Sequence, residues 1–398
     1  MKNFRLNIAI VSASILTLVG CQKDAGTAKT SEVEQFYTTV KKEYAPDSRV
    51  AIFDVETTAL NDSLVLKGMT NLPKALSTFK DKLVANNIAF IDSVAILPAA
   101  ELDGKTQGII ALSAANLRSE PKHSAELVTQ GTLGMPVTIY KKQGSWYLIQ
   151  TPDKYIAWVD SGGVVAMDSS RYTSWIKSNK LIYTKTFGSS YAKRDVSGQV
   201  VSDLVAGNVL KLIGEQDDFY QVEFPDQRVA HIAKAEAMPY QDWLASLSQT
   251  KQSLVATSKT LMGLPYLWGG TSPKGVDCSG FTKTVFFLNG LIIPRDASQQ
   301  IHQGILVDQD KDFSKLQPGD LLFFGKKATD TSKERIVHVG MWIGNKEFIH
   351  SAGSVHISSV DKDAPNYDLY NINRYIRTKR LLNQQTSGII DLQETALF

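Results

Sequence analysis

The sequence is short of cysteine and of net charge, and each shortage narrows the classes of protein it can belong to. Its 398 residues include 43 basic and 40 acidic side chains, for a formal net charge of +3. So small a surplus gives no electrostatic argument for binding nucleic acid. The two cysteines, Cys21 and Cys278, are too few for the disulfide framework of a small secreted domain. The ligand spacing of a zinc or calcium site and a phosphate-binding glycine loop are also missing from the sequence, so no cofactor is expected.

Beyond the first residues, the sequence contains no apolar stretch long enough to cross a bilayer, which takes about 20 residues. The start of the chain has the pattern of an export signal, with basic Lys2 and Arg5 followed by a short apolar run over 6–19. The run leads into Leu-Val-Gly-Cys, which resembles a bacterial lipobox ending at Cys21. We therefore expect an exported, membrane-anchored lipoprotein of the bacterial cell envelope, facing the periplasm or the cell surface. An ordinary signal peptide with a chance cysteine is the alternative.

The length of the chain predicts several domains, because a single core rarely grows past about 250–300 residues. Apolar residues at helical spacing, such as Val33, Phe36 and Val40, predict mainly helical structure in the first part of the mature chain. The predicted segments are a signal peptide (1–21), a tether and mainly helical segment (22–107), a first barrel (108–168), a second barrel (176–238), a C-terminal domain (250–383) and a tail (384–398).

An internal repeat occupies the middle of the chain. Residues 146–153 align with residues 219–226, and both copies belong to units of short predicted strands joined by turn residues. This pattern predicts two small β-barrels, and both units resemble bacterial SH3-like domains. Tyr155 of the first unit corresponds to Arg228 of the second. Only the first unit is therefore expected to offer an aromatic face to a pocket.

The second cysteine is the strongest chemical signal in the sequence. If Cys21 carries a lipid, Cys278 has no disulfide partner, and an unpaired thiol outside the cytoplasm is at risk of oxidation. Its presence therefore indicates that the thiol does chemistry. Cys278 follows a glycine-rich loop and precedes apolar residues at helical spacing, so we predict it in the first turn of a helix with Asp277 as the N-cap. Unpaired N–H groups and the helix dipole favour a thiolate there, as a nucleophile requires.

Two of the six histidines follow Cys278 on predicted strands. Apolar residues alternate around His338, which puts its side chain on the opposite strand face, and His350 lies on the next strand. Adjacent antiparallel strands bring such side chains within hydrogen-bond reach. We therefore predict that His338 accepts the proton of Cys278 and that His350 orients His338. Taken singly, a strand histidine is more often structural and a helical cysteine more often a core residue; the combination favours catalysis.

These features resemble the NlpC-family cysteine peptidases, a circularly arranged branch of the papain-like fold. The matching motifs are Tyr-Leu-Trp-Gly-Gly (266–270), Asp-Cys-Ser-Gly-Phe (277–281), Pro-Arg (294–295), Leu-Gln-Pro-Gly-Asp-Leu (316–321), His-Val-Gly (338–340) and His-Ser (350–351). The resemblance implies a multidomain α+β protein, with a papain-like cysteine peptidase domain after a helical segment and two small SH3-like barrels. It also implies Cys278 as nucleophile, His338 as base, His350 as third polar residue, and Tyr266 as an oxyanion donor beside the Cys278 N–H.

The order of the predicted domains resembles the γ-D-glutamyl-L-diamino acid endopeptidases of the dipeptidyl-peptidase VI type. These enzymes cut the bond between D-Glu and the diamino acid in murein stem peptides, and some require a free N-terminal L-Ala. The resemblance implies that Asp277 holds the α-ammonium of the substrate, with Ser279 on the other flank of the cysteine. A role as N-cap alone is the alternative for Asp277. Arg295 and Asp296 are expected to form a structural pair beneath the site.

The same resemblance implies walls for a substrate pocket. Tyr155 matches the aromatic residue expected from the first SH3-like unit, and Trp268 forms another wall. An acidic residue from that unit is expected as well, with Glu120 and Glu126 as the candidates. An ordinary aromatic on the barrel surface is the alternative for Tyr155.

The expected function is hydrolysis of the γ-D-glutamyl-L-diamino acid bond by Cys-His catalysis, with peptidoglycan stem peptides as the partners and a membrane contacted through Cys21. Neither nucleic acid nor an obligate protein partner is expected. One alternative is an endopeptidase acting on intact peptidoglycan, and another is a non-catalytic wall-binding lipoprotein. Retention of Cys278, His338 and His350 disfavours the non-catalytic alternative. The identity of the diamino acid stays open.

Overall fold

The computed structural model describes residues 25–60, 63–384 and 386–398. The predicted signal peptide and Cys21 lie outside these residues. Within the described part of the chain, none of the helices is long and apolar enough to cross a membrane. The described residues form an N-terminal α/β unit, two β-barrels and a larger C-terminal domain.

The N-terminal unit packs two helices on a three-stranded sheet. Its elements are α1 (Ala25–Tyr44), β1 (Phe53–Leu60), β2 (Ser63–Thr70), α2 (Pro73–Ala85) and β3 (Phe90–Ile96). The central strand β2 pairs antiparallel with β1 and parallel with β3. Apolar residues of both helices, including Val40 and Phe79, meet Phe53 and Leu66 of the sheet in one core.

The prediction of a tether and mainly helical structure over 22–107 is wrong in two respects. Helix α1 already includes residues 25–29, and three strands separate or follow the helices. The sequence does not predict these strands, because apolar and polar residues alternate only weakly along them. In β1 only Phe53 and Val55 are buried, so the period-two signal spans just two apolar residues.

The two barrels follow, joined by helix α3 (Ser169–Lys177). The strands of the first are β4 (Gln107–Ile110), β5 (Ala114–Arg118), β6 (Leu127–Thr132), β7 (Pro136–Gln143), β8 (Trp146–Gln150), β9 (Ile156–Asp160) and β10 (Val164–Met167). Those of the second are β11 (Lys180–Tyr183), β12 (Phe187–Tyr191), β13 (Val200–Val205), β14 (Val209–Gln216), β15 (Phe219–Glu223), β16 (Val229–Ala233) and β17 (Ala237–Pro239). The strand order of the first barrel is β10-β4-β7-β8-β9-β5-β6. That of the second barrel, written from its other edge, is β17-β11-β14-β15-β16-β12-β13, so each strand has a counterpart at the same place in the other barrel. The internal repeat is therefore confirmed as a repeat of topology.

The C-terminal domain places a buried helix against an antiparallel sheet. Its helices are α4 (Tyr240–Ser246), α5 (Lys251–Thr260), α6 (Cys278–Phe287), α7 (Ala297–Gln300) and α8 (Leu369–Asn373). Its strands are β18 (Thr271–Ser272), β19 (Gly275–Val276), β20 (Leu291–Ile292), β21 (Ile305–Asp308), β22 (Leu321–Lys326), β23 (Arg335–Gly344), β24 (Glu347–Ala352), β25 (Ser354–Ser359), β26 (Tyr375–Arg380) and β27 (Ile390–Asp391). The main sheet has the order β21-β26-β22-β23-β24-β25. Helix α6 packs across β23 and β24.

The C-terminal tail folds back onto the molecule. Strand β27 pairs with β20, and Leu392 and Phe398 are buried. The Phe398 ring packs against Tyr240 and Phe287. These contacts tie the tail to helices α4 and α6, although the sequence of the tail has no clear period.

Candidate active site

Cys278 begins helix α6, and its surroundings follow from the residue before it. The Asp277 carboxylate accepts a hydrogen bond from the Gly280 N–H at 2.7 Å, as the predicted N-cap should. Cys278 is a free thiol that is 8% exposed. Cys278 lines a cavity of about 500 Å³, and it also belongs to the apolar core between helix α6 and the main sheet.

The protonation state of this thiol depends on its burial as well as on the helix start. Burial and the Asp277 carboxylate raise the pKa of Cys278 to about 12, although the backbone N–H groups of Val339 and Ser279 act in the opposite direction. Withdrawal from water disfavours the charged form more than the helix start favours it. Burial and the Asp277 charge thus oppose the thiolate that the helix start is expected to favour.

His338 and His350 meet on neighbouring strands. His338 Nε2 lies 2.7 Å from His350 Nδ1, and His350 Nε2 lies 3.0 Å from the Ser358 hydroxyl. The two imidazoles are 6% and 1% exposed. Val339, the residue after His338 on β23, directs its N–H toward the Cys278 sulfur. The predicted contact between the two histidines is present.

Burial keeps both imidazoles neutral. It lowers the pKa of His338 well below its usual value, with His350 as the next contributor. Burial likewise lowers the pKa of His350 to about 3, and the neighbouring His356 adds to this effect. A neutral His338 is a proton acceptor at neutral pH.

The role of Asp277 is broader than that of an N-cap. Its two oxygens accept hydrogen bonds from the Gly269 N–H at 2.9 Å and from both Nη atoms of Arg295 at 2.6 and 3.1 Å. The predicted pairing of Arg295 with Asp296 is only a loose contact of 3.8 Å. The guanidinium instead neutralises Asp277, because that carboxylate is buried beside it and offers both oxygens.

The first barrel contributes an acid to the rim of the cavity. Glu126 Oε1 accepts a hydrogen bond from the Trp268 indole at 2.7 Å, and both side chains line the cavity. Glu120, the other candidate, lies outside the cavity and forms an exposed ion pair with Lys122. The main chain makes the junction tight, because a Cβ on Gly269 would lie 2.2 Å from the carbonyl oxygen of Leu127.

Two tyrosines line the cavity with their phenol protons in place. The Tyr155 hydroxyl donates to Asp296 Oδ2 at 3.3 Å, and burial followed by the Asp296 charge raises its pKa. Tyr266 is held by a hydrogen bond from its N–H to the Gly353 carbonyl at 2.9 Å. Burial and the neighbouring Cys278 raise the pKa of Tyr266 to about 12. Both phenols are therefore hydrogen-bond donors at neutral pH.

Comparison with known proteins agrees with this geometry. Residues 263–374 match the NlpC/P60 family, and residues 113–165 match the bacterial SH3 domain. The gamma-D-glutamyl-L-lysine dipeptidyl-peptidase of Bacillus cereus is 30% identical over 272 residues, which are 65% of this chain and 76% of that protein. The chain belongs to the NlpC/P60 family.

Further relatives extend the likeness. Dipeptidyl-peptidase 6 of Lysinibacillus sphaericus is 26% identical over 268 residues, 65% of this chain and 93% of that protein. The crystal structure of an NlpC/P60 family protein from Bacillus cereus superposes with a TM-score of 0.57 and 27% identity, covering 69% of this chain and 99% of that one. An NlpC/P60 endopeptidase from Photobacterium damselae subsp. piscicida has a TM-score of 0.51 at 17% identity, covering 75% and 76% of the two chains, and so shares the fold. The chain is thus an NlpC/P60 cysteine peptidase with SH3-like β domains.

One residue of the NlpC/P60 pocket was missed by sequence reasoning. Arg49, from the loop before β1, lines the cavity and binds Asp296 at 2.6 Å. Local sequence carries no signal for this contact, since the two residues are far apart in the chain. Within the described part of the chain, no group of His, Cys, Asp or Glu is arranged to hold a metal ion.

Proposed function

We propose that this NlpC/P60 peptidase hydrolyses the γ-D-glutamyl-L-diamino acid bond of peptidoglycan stem peptides that carry a free N-terminal L-Ala. The observation that carries the proposal is the cavity itself. It joins the Cys278 thiol, on one wall, to a rim carboxylate, Glu126, supplied by the first SH3-like domain. The names of the relatives support this choice of bond, since they include gamma-D-glutamyl-L-lysine dipeptidyl-peptidase.

The proposed chemistry uses Cys278 as nucleophile and His338 as base. Cys278 transfers its proton to His338, and the sulfur attacks the γ-carbonyl carbon of D-Glu. The Cys278 N–H and the Tyr266 phenol donate to the oxyanion that forms. His338 then protonates the departing α-amine of the diamino acid, leaving a thioester on Cys278. Water, deprotonated by His338, hydrolyses the thioester and restores the thiol.

His350 orients the base in this scheme. Its Nδ1 lies 2.7 Å from His338 Nε2, which leaves the other nitrogen of His338 for the thiol. Ser358 in turn bonds His350 at 3.0 Å. This series of contacts holds one tautomer and one ring orientation of His338, as the third member of a triad does.

Recognition of the free amine is assigned to Glu126. Its carboxylate is exposed at the rim and already fixed by the Trp268 indole, so it offers a charge-assisted bond to an ammonium. Asp277 also lines the cavity, but its charge is balanced by Arg295. It supports the ammonium site chiefly by holding Ser279 and the start of α6, and Tyr155 closes the same end of the pocket.

The barrel wall favours short soluble peptides over intact peptidoglycan. Glu126, Val128 and Tyr155 all belong to the first barrel and all line the cavity. A long glycan-linked stem would have to pass through this wall.

As a separate part of the proposal, the lipobox-like pattern at Cys21 supports export and lipid anchoring. Labelled palmitate should be incorporated into the wild-type protein but not into Cys21→Ser.

Mass spectrometry of defined peptides tests the proposed reaction. L-Ala-γ-D-Glu-diaminopimelate and its lysine counterpart should release the free diamino acid, and Cys278→Ala should release none. N-acetylation of L-Ala should lower kcat/KM by about tenfold, since the charge-assisted hydrogen bond to the exposed Glu126 carboxylate is lost. Glu126→Gln should remove most of that preference for the free amine. Equal turnover of the acetylated peptide by the wild-type enzyme would overturn the ammonium site, and absence of diamino acid release would overturn the reaction.

A further inference from the structure

The N-terminal unit reaches the active site through the loop that follows α1. Arg49 in this loop lies outside the segments that match the SH3 and NlpC/P60 families, 113–165 and 263–374. The loop is fixed to the first barrel by its main chain: the Ile156 N–H donates to the Arg49 carbonyl at 2.7 Å. The Gln150 amide donates to the next carbonyl, that of Val50, at 3.0 Å.

A separate apolar contact holds the whole N-terminal unit in that place. Leu97, at the end of the unit, is buried with Tyr140, Trp146 and Trp158 of the first barrel. The Asn71 amide adds a hydrogen bond to the Tyr140 hydroxyl at 2.9 Å. The position of the Arg49 loop therefore does not depend on the Arg49 side chain.

The Arg49 guanidinium bridges two units. Its Nε and Nη2 donate to the two oxygens of Asp47, both at 2.8 Å. Its Nη1 donates to Asp296 Oδ2 at 2.6 Å and to the Ser298 hydroxyl at 3.0 Å. Asp47 is braced from the other side by the Gln299 amide at 2.7 Å. Because the planar guanidinium donates to a carboxylate on each side, it fixes the orientation of Asp296 and balances its charge.

Asp296 is the point where three units of the chain converge. Its Oδ2 accepts both from Arg49 and from the Tyr155 hydroxyl, at 2.6 and 3.3 Å. All three side chains line the cavity. Without Arg49, Arg295 would be the cation left in contact with the carboxylates of Asp277 and Asp296, and the cavity wall would become more negative.

We propose that Arg49 is a positioning residue for substrate, which makes the N-terminal unit part of the active site. It holds Asp296 and through it the Tyr155 phenol, and it cancels a negative charge that would repel the α-carboxylate of D-Glu. The inference rests on the proposed function, because that function supplies the anionic peptide. Its effect belongs to substrate binding, since Arg49 does not act on the thiol or the base.

Steady-state kinetics on the free stem peptide test this role. Arg49→Met should raise KM by about tenfold, the loss expected for one charge-assisted contact, while kcat changes by less than about twofold. The KM of Arg49→Lys should lie between those of the wild type and Arg49→Met, because lysine keeps the positive charge but cannot donate to both carboxylates as the planar guanidinium does. Lys80→Met is the matched control: it removes an ion pair of similar exposure, Lys80–Asp92 at 2.8 Å, away from the cavity, and should leave KM unchanged.

A double-mutant cycle separates positioning from simple support of the fold. In an Asp296→Asn background the carboxylate is already neutral, so adding Arg49→Met should change KM by less than about twofold. An equal rise of KM in both backgrounds would overturn the inference, and so would a fall of kcat as large as the rise of KM in Arg49→Met, which a role in domain docking alone would give. An unchanged KM in Arg49→Met while the wild type is active would also overturn it. An inactive wild type would instead overturn the proposed function, and the inference with it.

Discussion

Protonation of the buried histidine pair should contribute to the acid sensitivity of the fold, and His350→Gln is the substitution that measures this contribution. Burial lowers the pKa of His350 to about 3 in the folded protein, whereas the unfolded chain keeps a value near 6.5. As the pH falls below 6.5, the unfolded state therefore binds the proton first. The stability that His350 contributes is complete above that pH and is lost as the pH falls.

The size of the effect follows from the number of protons. One extra proton bound by the unfolded state changes the free energy of unfolding by about 1.4 kcal/mol per pH unit. Between pH 6.5 and pH 5, His350 alone should therefore remove about 1 to 2 kcal/mol. Burial lowers the pKa of His338 as well, so this histidine should act in the same direction. Typical domains are stable by only 5–15 kcal/mol or so, so the loss should be easy to measure.

Urea unfolding followed by tryptophan fluorescence at several pH values between 7 and 5 is the assay. His350→Gln keeps a hydrogen-bonding side chain beside His338 but cannot take up the proton, so the pH slope should fall by about 1.4 kcal/mol per unit at full effect. His302→Gln, which removes an exposed histidine, should keep the wild-type slope. An unchanged slope in His350→Gln would refute the account of the buried pair.

Two further predictions concern the walls of the cavity. Tyr266→Phe should lower kcat by about 10- to 1,000-fold with little change in KM, because an oxyanion donor acts in the transition state; an unchanged kcat would exclude Tyr266 as that donor. Gly269→Ala should loosen the contact between the first barrel and the C-terminal domain, since the new Cβ would lie 2.2 Å from the Leu127 carbonyl and Gly269 has a φ of +80°. Gly144→Ala is the matched control, because Gly144 shares a positive φ, +58°, but its added Cβ meets nothing within 4 Å. Faster proteolysis between these domains in Gly269→Ala than in Gly144→Ala would verify the prediction.

The residues whose roles depend on local pattern were accessible from the sequence. Cys278 and its cap Asp277 follow from the chemistry of a helix start, and His338 and His350 follow from alternation on two strands. The internal repeat identified both barrels. Such patterns involve residues that are close together in the chain, so they can be recognised without knowing how the domains pack.

Only the tertiary structure decided the charges of the site and its outer wall. The pKa values of Cys278 and the histidines depend on how completely water is excluded, which sequence spacing does not encode. The choice of Glu126 over Glu120, the pairing of Asp277 with Arg295, and the entry of Arg49 into the cavity all depend on contacts between separate domains. Residues far apart in the chain leave no local period to mark such contacts, and the physical packing of the domains alone brings them together.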